Sequence, residues 1–323
     1  MRRILSAALL LSASWLHMAP AFAHELRLAV SAGPVSLPVY VAEAKGYFKS
    51  EDVDLKMLDC RSGRQCVEML QQGQADVATA AELLVSLNGF SKADLSIVAT
   101  LSSSHQMRVV ARRSAGVSQA QDLKGKRIGT VAGTSAEYYL DMWLLFQGVD
   151  RAGVTLVPLP ADRIAAAMQS REVDAVAIWE PIASTVADAL KDDLAAMPTP
   201  RVYTQHFALV TGRRKASAMD AEIVKLLRAL ARASQFIAKE PAAARQILVT
   251  QLHISDVQAA SHLAAHDYSL NLDQSLVSTM ESQARWALRS GQVEKGGSAV
   301  NLLRAIDPGL LKIAVPGAVT LVQ

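Results

Sequence analysis

The chain has 323 residues, enough for two domains of ordinary size. Its 33 Lys and Arg against 30 Asp and Glu give a formal charge of only +3, so the concentrated basic face that nucleic acid requires is not expected. High Ala and Leu content with 5% aromatics suits a helix-rich α/β protein.

The first 23 residues read as an export signal. Arg2 and Arg3 form a basic start, Ile4 to Trp15 a mostly apolar run, and Ala21-Phe-Ala23 a small-x-small cleavage pattern, which would leave His24 first. The apolar run is broken and shorter than the ~18–20 residues of a membrane span. No Cys follows the cleavage point, so no lipid anchor is expected. Without Arg2 and Arg3 the balance is 31 basic against 30 acidic residues, close to neutral.

Leu26 to Val30 reads as a buried strand, followed by the turn Ser31-Ala-Gly-Pro34 and a helical pattern from Leu37 to Phe48. Val53 to Leu58 is a second strand, and Val67 to Leu70 sits on a helix. Asp76 to Ala80 is a third strand, after which Glu82 opens a helix through about Leu87. Leu95 to Thr100 is another buried strand, ending in the polar run Ser102 to Gln106, with Met107 to Ala111 carrying the chain into a second lobe. There, Asp122 to Arg127 feeds a strand ending at Val131. Gly133-Thr-Ser135 leads into a helix from about Ala136 to Gln147, with Gly148 as a stop signal. Val154 to Leu159 is a strand, Asp162 caps a helix to Met168, and Asp174 to Ile178 is the matching last strand. Lys191 to Pro200 is loop, and Phe207 to Thr211 returns the chain to the first lobe. Met219 to about Ser290 reads as helical throughout, broken at Gly296-Gly297, and an apolar tail runs from Ile313 to Val322.

These elements repeat once, about 100 residues apart. Arg27-Leu-Ala-Val-Ser-Ala-Gly33 matches Arg127-Ile-Gly-Thr-Val-Ala-Gly133. Met69 to Ala78 likewise matches Ala167 to Val176, so Asp76 corresponds to Asp174. Six residues after each Asp stands a Glu, Glu82 and Glu180. Each copy is a βαβαβ half of an open sheet, with a ligand-facing rim at the carboxyl ends of its strands.

Cys60 and Cys66 are expected to form a disulfide in an oxidising compartment. Their spacing fits neither a CxxC redox pair nor a zinc site. His262 and His266 stand four apart on one helix, but a surface pair is the better expectation than zinc. No GxSxG elbow and no HExxH is present, so neither a metal, a cofactor nor catalysis is expected.

The candidate ligand contacts begin with the turns. Gly33 with Pro34, Ser62 with Gly63, and Gly133 with Thr134 and Ser135 each follow a strand and precede a helix, where free amides and the helix dipole favour anions. Ser62 and Thr134 would equally serve as N-caps. Trp179 offers a flat apolar wall and Glu180 an acceptor, or a partner for a local Arg. Glu82, Ser102 and His105 are further candidates, Glu82 with self-capping as the alternative. Tyr40 and Tyr138 belong either to the cleft or to the core.

Leu37-Pro-Val-Tyr-Val-Ala-Glu-Ala-Lys-Gly-Tyr-Phe48, Gly73-Gln-Ala-Asp76, Asp122-Leu-Lys-Gly-Lys-Arg-Ile-Gly129, Gly133-Thr-Ser135 and Asp174-Ala-Val-Ala-Ile-Trp-Glu-Pro181 carry a resemblance, with an Asp307-Pro tail. In these pieces the chain resembles the periplasmic substrate-binding proteins of ABC importers, in the sulfonate, taurine, nitrate and thiamine-pyrimidine (NMT1-like) group. The resemblance implies a type II flytrap, two α/β lobes of mostly parallel sheet flanked by helices. Its organisation would be a signal at 1–23, a first lobe from 24–106 and 210–323, and a second lobe from 107–209. It further implies a monomer that closes on a small anion-bearing solute and presents it to a permease. Contacts would fall at Ser62, Gly63, Gly133, Thr134, Ser135, Trp179 and Glu180. A heteroaromatic amine as ligand, or a role as periplasmic sensor, stays open. Two features depart from the group: the paired cysteines around Ser62, and Gly33-Pro34 where relatives place polar residues. The related pyrimidine synthases are enzymes with a cysteine-rich motif that this chain lacks.

Overall fold

The computed structural model describes residues 25–90, 95–293 and 302–322, without the side chains of 213–218. The signal segment, His24 and the Gly296-Gly297 break lie outside the described residues. Eleven strands follow in chain order among them: β1 (Leu26–Ser31), β2 (Leu55–Cys60), β3 (Val77–Ala81), β4 (Leu95–Ser104), β5 (Met107–Arg112) and β6 (Arg127–Thr130). Then come β7 (Thr155–Pro158), β8 (Ala175–Trp179), β9 (Leu194–Ala195), β10 (Gln205–Gly212) and β11 (His266–Asp267).

They form two sheets, ordered β11-β4-β10-β3-β1-β2 and β7-β6-β8-β5-β9. The repeat is real at the level of topology. In each lobe the first strand of the repeat lies centrally, parallel to the second and third strands on either side of it. The strands by which the chain enters the second sheet and returns to the first, β5 and β10, add antiparallel to that parallel unit. The chain crosses between sheets twice, from β4 to β5 and from β9 to β10.

Both copies are stitched by the same pair of residues. Arg27 donates through its main-chain N, Nε and Nη2 to Asp76, and Arg127 does the same to Asp174. The return bonds, Asp76 N to Arg27 O and Asp174 N to Arg127 O, complete each clamp. Both Asp residues stand just before β3 and β8, at the end of the sheet away from the ligand-facing rim. The repeated carboxylate is therefore structural.

The expected helical stretch from 219 to 290 breaks into helices Arg213–Lys239, Pro241–Leu252, Asp256–Ala265 and Gln274–Ser290. Between the last two, Tyr268, Leu270 and Leu272 are buried alternately and β11 pairs with the end of β4. Asp162 does not cap the helix Ile164–Gln169, which a short 3-10 turn enters instead; its carboxylate pairs with Arg61. The lobes also meet through helix Gln274–Ser290, which docks on helix Ser135–Phe146. Trp286 Nε1 donates to Asp141, and its ring packs edge-on to Tyr138 at 5.4 Å.

Candidate functional site

The carboxyl ends of β1, β2, β3, β6 and β8 converge on a cavity of about 60 Å³ between the lobes. Of the expected residues, Gly33, Pro34, Ser62, Gly63, Thr134, Ser135, Trp179 and Glu180 line it. An open sheet places its strand-to-helix turns on that side, which is why turns from both lobes meet there.

The two helix starts are alike. In the first lobe Ser62 caps helix Gly63–Gln71, its Oγ accepting from the Gln65 amide at 3.4 Å. In the second, Thr134 caps helix Ser135–Phe146, its Oγ1 accepting from the Ala136 amide at 3.3 Å. The capping function and the cleft position thus coexist. Among the described residues, the amides of Gly63, Arg64, Thr134 and Ser135 have no partner. Four donors on two helix N-termini form an environment suited to an anion.

Two expected amides are already used. The Gly33 N–H donates to the Tyr40 hydroxyl at 3.2 Å. The Gly133 N–H donates to the carboxylate of Glu137 at 2.7 Å, so that the helix supplies its own anion at this position. Burial raises the pKa of Glu137, while that hydrogen bond opposes the rise. Gly133 is not among the lining residues, and neither are Glu82, Ser102 and His105.

Each of these three has a physical reason. Glu82 is fully buried, and its carboxylate accepts from the Tyr203 hydroxyl at 2.6 Å, Gln283 Nε2 at 2.6 Å and the His206 amide at 3.0 Å. Desolvation pushes its pKa up to about 7 despite these donors. Ser102 donates inward to the Val35 carbonyl at 2.9 Å. His105 holds the Tyr203 carbonyl through Nδ1 at 3.0 Å. Tyr40 and Tyr138 likewise turn inward, Tyr138 donating to Ser282. His262 is buried, contrary to the surface expectation, and His266 bonds its carbonyl through Nδ1. No cluster of three or more metal-ligating side chains occurs among the described residues.

Sequence reasoning missed four polar residues of the cleft, Ser31, Arg64, Gln106 and Gln205. Arg64 reaches across it, its Nη2 donating to the Ala132 carbonyl at 2.9 Å and the Gly133 carbonyl at 2.7 Å. Gln106 and Gln205, one from each crossover, bond to each other at 2.6 Å, and Gln205 Nε2 donates onward to Ser135 Oγ at 2.8 Å. Gln106 stood in the flagged polar run, whereas Gln205 had no signal beyond preceding a strand. Val35, Ala81 and Phe207 form the apolar wall. Glu180 accepts from Arg108 at 3.2 Å and from the Ser184 amide at 2.9 Å. It therefore takes its local Arg while still bordering the cavity.

The disulfide between Cys60 and Cys66, with Cα atoms 5.5 Å apart, brackets the first-lobe turn.

The NMT1/THI5-like family model matches residues 33–244. The chain belongs to the NMT1/THI5-like family. A putative aliphatic sulfonates-binding protein of Bacillus subtilis is 23% identical over 287 residues, covering 86% of this chain and 85% of that one. A putative binding protein of Brucella abortus is 28% identical over 148 residues. That match spans 46% of this chain and 45% of the relative, about half of each. The pyrimidine phosphate synthase of Candida albicans, 4-amino-5-hydroxymethyl-2-methylpyrimidine phosphate synthase, is 32% identical over 104 residues, 31% of this chain and 30% of that one. In structure, the alkanesulfonate-binding protein SsuA from Xanthomonas axonopodis pv. citri, bound to MOPS, superposes with a TM-score of 0.73 at 19% identity, covering 92% of this chain and 98% of that one. The fold is the two-lobed periplasmic binding protein fold.

Proposed function

We propose that this protein is an exported, non-enzymatic solute-binding protein. It takes a small organic solute with a sulfonate-like anionic head into the interlobe cleft and delivers it to an ABC permease. The supporting observation is the facing pair of helix starts, whose four unclaimed amides border one cavity from opposite lobes. Charge-assisted bonds from such amides are among the stronger hydrogen bonds a site can offer. Arg64 adds a positive charge beside them, and its bonds to the opposite lobe tie ligand capture to closure. A solute that contacts both lobes favours the closed arrangement by its differential affinity. The sulfonate-binding names of the Bacillus relative and of SsuA favour this head group over others.

A heteroaromatic pyrimidine is the second reading. It is favoured by the Trp179 and Phe207 walls and by the synthase relative.

Titrating the mature chain with methanesulfonate, taurine, nitrate and a hydroxymethylpyrimidine, by calorimetry and Trp fluorescence, separates the two. The expected result is saturable sulfonate or taurine binding that weakens about tenfold or more in Arg64→Ala, a loss of ~1.4 kcal/mol. Saturation by the pyrimidine alone moves the assignment to the second reading. Silence from all four removes the solute assignment.

A further inference from the structure

Glu82 stands at the seam where the two lobes meet, and the seam is what buries it. It opens helix Glu82–Asn88 of the first lobe, whose next residue, Leu83, is fully buried in the second-lobe core beside Tyr138, Tyr203 and Trp286. Three segments close over the carboxylate: Tyr203 and His206 of the second crossover, and Gln283 of helix Gln274–Ser290. Tyr138 of the second lobe backs this cover, packing edge-on against Tyr203 at 5.0 Å. Drawing the lobes apart would therefore admit water to Glu82.

The segment that Glu82 holds also reaches the cleft. Between Tyr203 and His206, Gln205 donates to Ser135 Oγ at 2.8 Å and accepts from Gln106 of the first crossover at 2.6 Å. The Tyr203 carbonyl is held by His105 Nδ1, and the His206 ring by Ser275 at 2.9 Å. One carboxylate thus fixes, from both sides, the residue that joins the two crossovers to a helix start in the cleft.

Few titratable or charged groups surround it. Tyr203 and His206 face Glu82 from the crossover, and Tyr138 from helix Ser135–Phe146. Arg285 and Arg289 of helix Gln274–Ser290 stand near Tyr138, and Asp273 near His206. Strands β3 and β4 contribute none, and Arg304 of the turn Leu302–Ala305 is exposed. Burial raises both tyrosines above their ordinary value and lowers His206, so all three are neutral at pH 7. Glu82, pushed up to about 7 by desolvation, is the member of this group that changes charge there.

We propose that Glu82 is a proton-operated brace on the hinge: closing the lobes buries it and takes up one proton from water, and opening returns that proton. A carboxyl whose pKa is higher in the closed than in the open arrangement favours closure when protonated. Closure is therefore strongest below about pH 7 and weakens as pH rises through that value. Glu82 acts through the crossover and Gln205, never on the solute, which makes it a positioning residue. Its effect on solute capture rests on the cleft reading above; its effect on the hinge does not.

The primary test needs no solute. Spin labels on Gln72→Cys and Gln169→Cys, exposed positions in different lobes, read the interlobe distance of the mature chain from about pH 5.5 to about 8.5. The expected result is a closed-to-open ratio that falls about tenfold between pH 6 and 8, with the protonated-carboxyl infrared band fading alongside it. Glu82→Gln should make the distances independent of pH. Should that variant fail to fold, Tyr203→Phe decides: it removes a donor that holds the Glu82 pKa down, so the transition should move to higher pH. His105→Gln and Glu137→Gln should follow wild type. The proposal is overturned if the wild-type distances ignore pH, if Glu82→Gln keeps the transition, if Tyr203→Phe leaves its midpoint unmoved, or if it vanishes in His105→Gln or Glu137→Gln instead. Methanesulfonate affinity, read by calorimetry, should follow the same curve and flatten in Glu82→Gln. A distance transition with no methanesulfonate binding would sustain the brace and fail the cleft reading alone.

Discussion

The two lobes are built from one plan, and they diverge most where equivalent carboxylates follow equivalent strands. Glu82 stands after β3 and Glu180 after β8, six residues beyond Asp76 and Asp174 in each case. Glu180 remains at the cleft and caps the following helix by accepting from the Ser184 amide. Glu82 points into the protein and holds the second crossover, binding Tyr203 and the His206 amide on either side of Gln205. The same sequence position thus borders the cleft in one lobe and braces a crossover in the other. A duplicated fold conserves where a side chain starts; what it meets there depends on the neighbouring lobe.

The largest expected effect sharpens this contrast by pH. The Glu82 carboxyl, at about 7 in the folded protein, lies above the ~4.3 of an unfolded Glu. Between those values the native state holds a proton that the unfolded state has released. Stability is therefore full below about pH 4.3, falls as pH rises through the window, and levels off above it. The loss attached to this one group is on the order of 4 kcal/mol, at roughly 1.4 per unit of pKa difference. Denaturant unfolding from pH 4.5 to 8 should show Glu82→Gln with a flatter profile than wild type. An unchanged slope in the variant would remove Glu82 from this account.

The Arg–Asp clamps offer a second comparison, between copies that share the same three Arg-to-Asp bonds, Arg127 adding a bond from Nη2 to the Arg171 carbonyl. Asp76 is 8% exposed and its Arg partner 32%, against 18% and 46% for Asp174 and Arg127. Removing one member of a buried pair strands the other, whereas an exposed pair is largely screened. Arg27→Ala is expected to cost about 2 kcal/mol, reduced from the fully buried case because Arg27 is partly in water. Arg127→Ala should lower the melting temperature by less. Equal losses would show that burial does not distinguish the clamps.

Much of this architecture was legible in the residues. Buried strands, glycine turns and the repeated Arg and Asp were enough to draw two βαβαβ units, because hydrophobic period and turn chemistry are local signals. The eight cleft residues that were anticipated all sit on those turns or at strand ends. What was not legible depends on contacts between distant segments. Nothing near Glu82 announces that Tyr203, more than a hundred residues later, will fill its hydrogen bonds. Arg64 looks like any first-turn arginine until the second lobe brings the carbonyls of Ala132 and Gly133 to it. The segment after His266 is different: Tyr268, Leu270 and Leu272 alternate as a strand should, yet flanking helical patterns masked so short a run.

The disulfide distinguishes the two cleft turns, since only the first-lobe turn is covalently closed. In the chain-entropy description a loop this short contributes about 2 kcal/mol. Replacing Cys60 and Cys66 by Ser should lower unfolding free energy by that amount and, by loosening Ser62 and Gly63, weaken solute binding. If stability falls while affinity holds, the bridge supports the lobe and not the site.

The smallest expected effect compares a glycine from each helix start. A Cβ on Gly63 would lie 3.0 Å from the Ala80 Cα, a strand backbone that cannot move aside. Gly63→Ala should therefore disturb the packing of its helix on β3 and lower stability along with binding. Gly133 has a φ of +62°, and its Cβ would lie 2.7 Å from Arg64 Nη2, the end of a flexible side chain. Gly133→Ala should cost about 1 kcal/mol for the left-handed backbone, while pushing Arg64 off the two carbonyls it holds across the cleft. Solute affinity should then fall by about as much as in Arg64→Ala. The double variant should bind no worse than either single one, because both remove the same bridge. Additive losses would mean that Gly133 and Arg64 act separately, and that the lobes are not joined through this contact when solute binds.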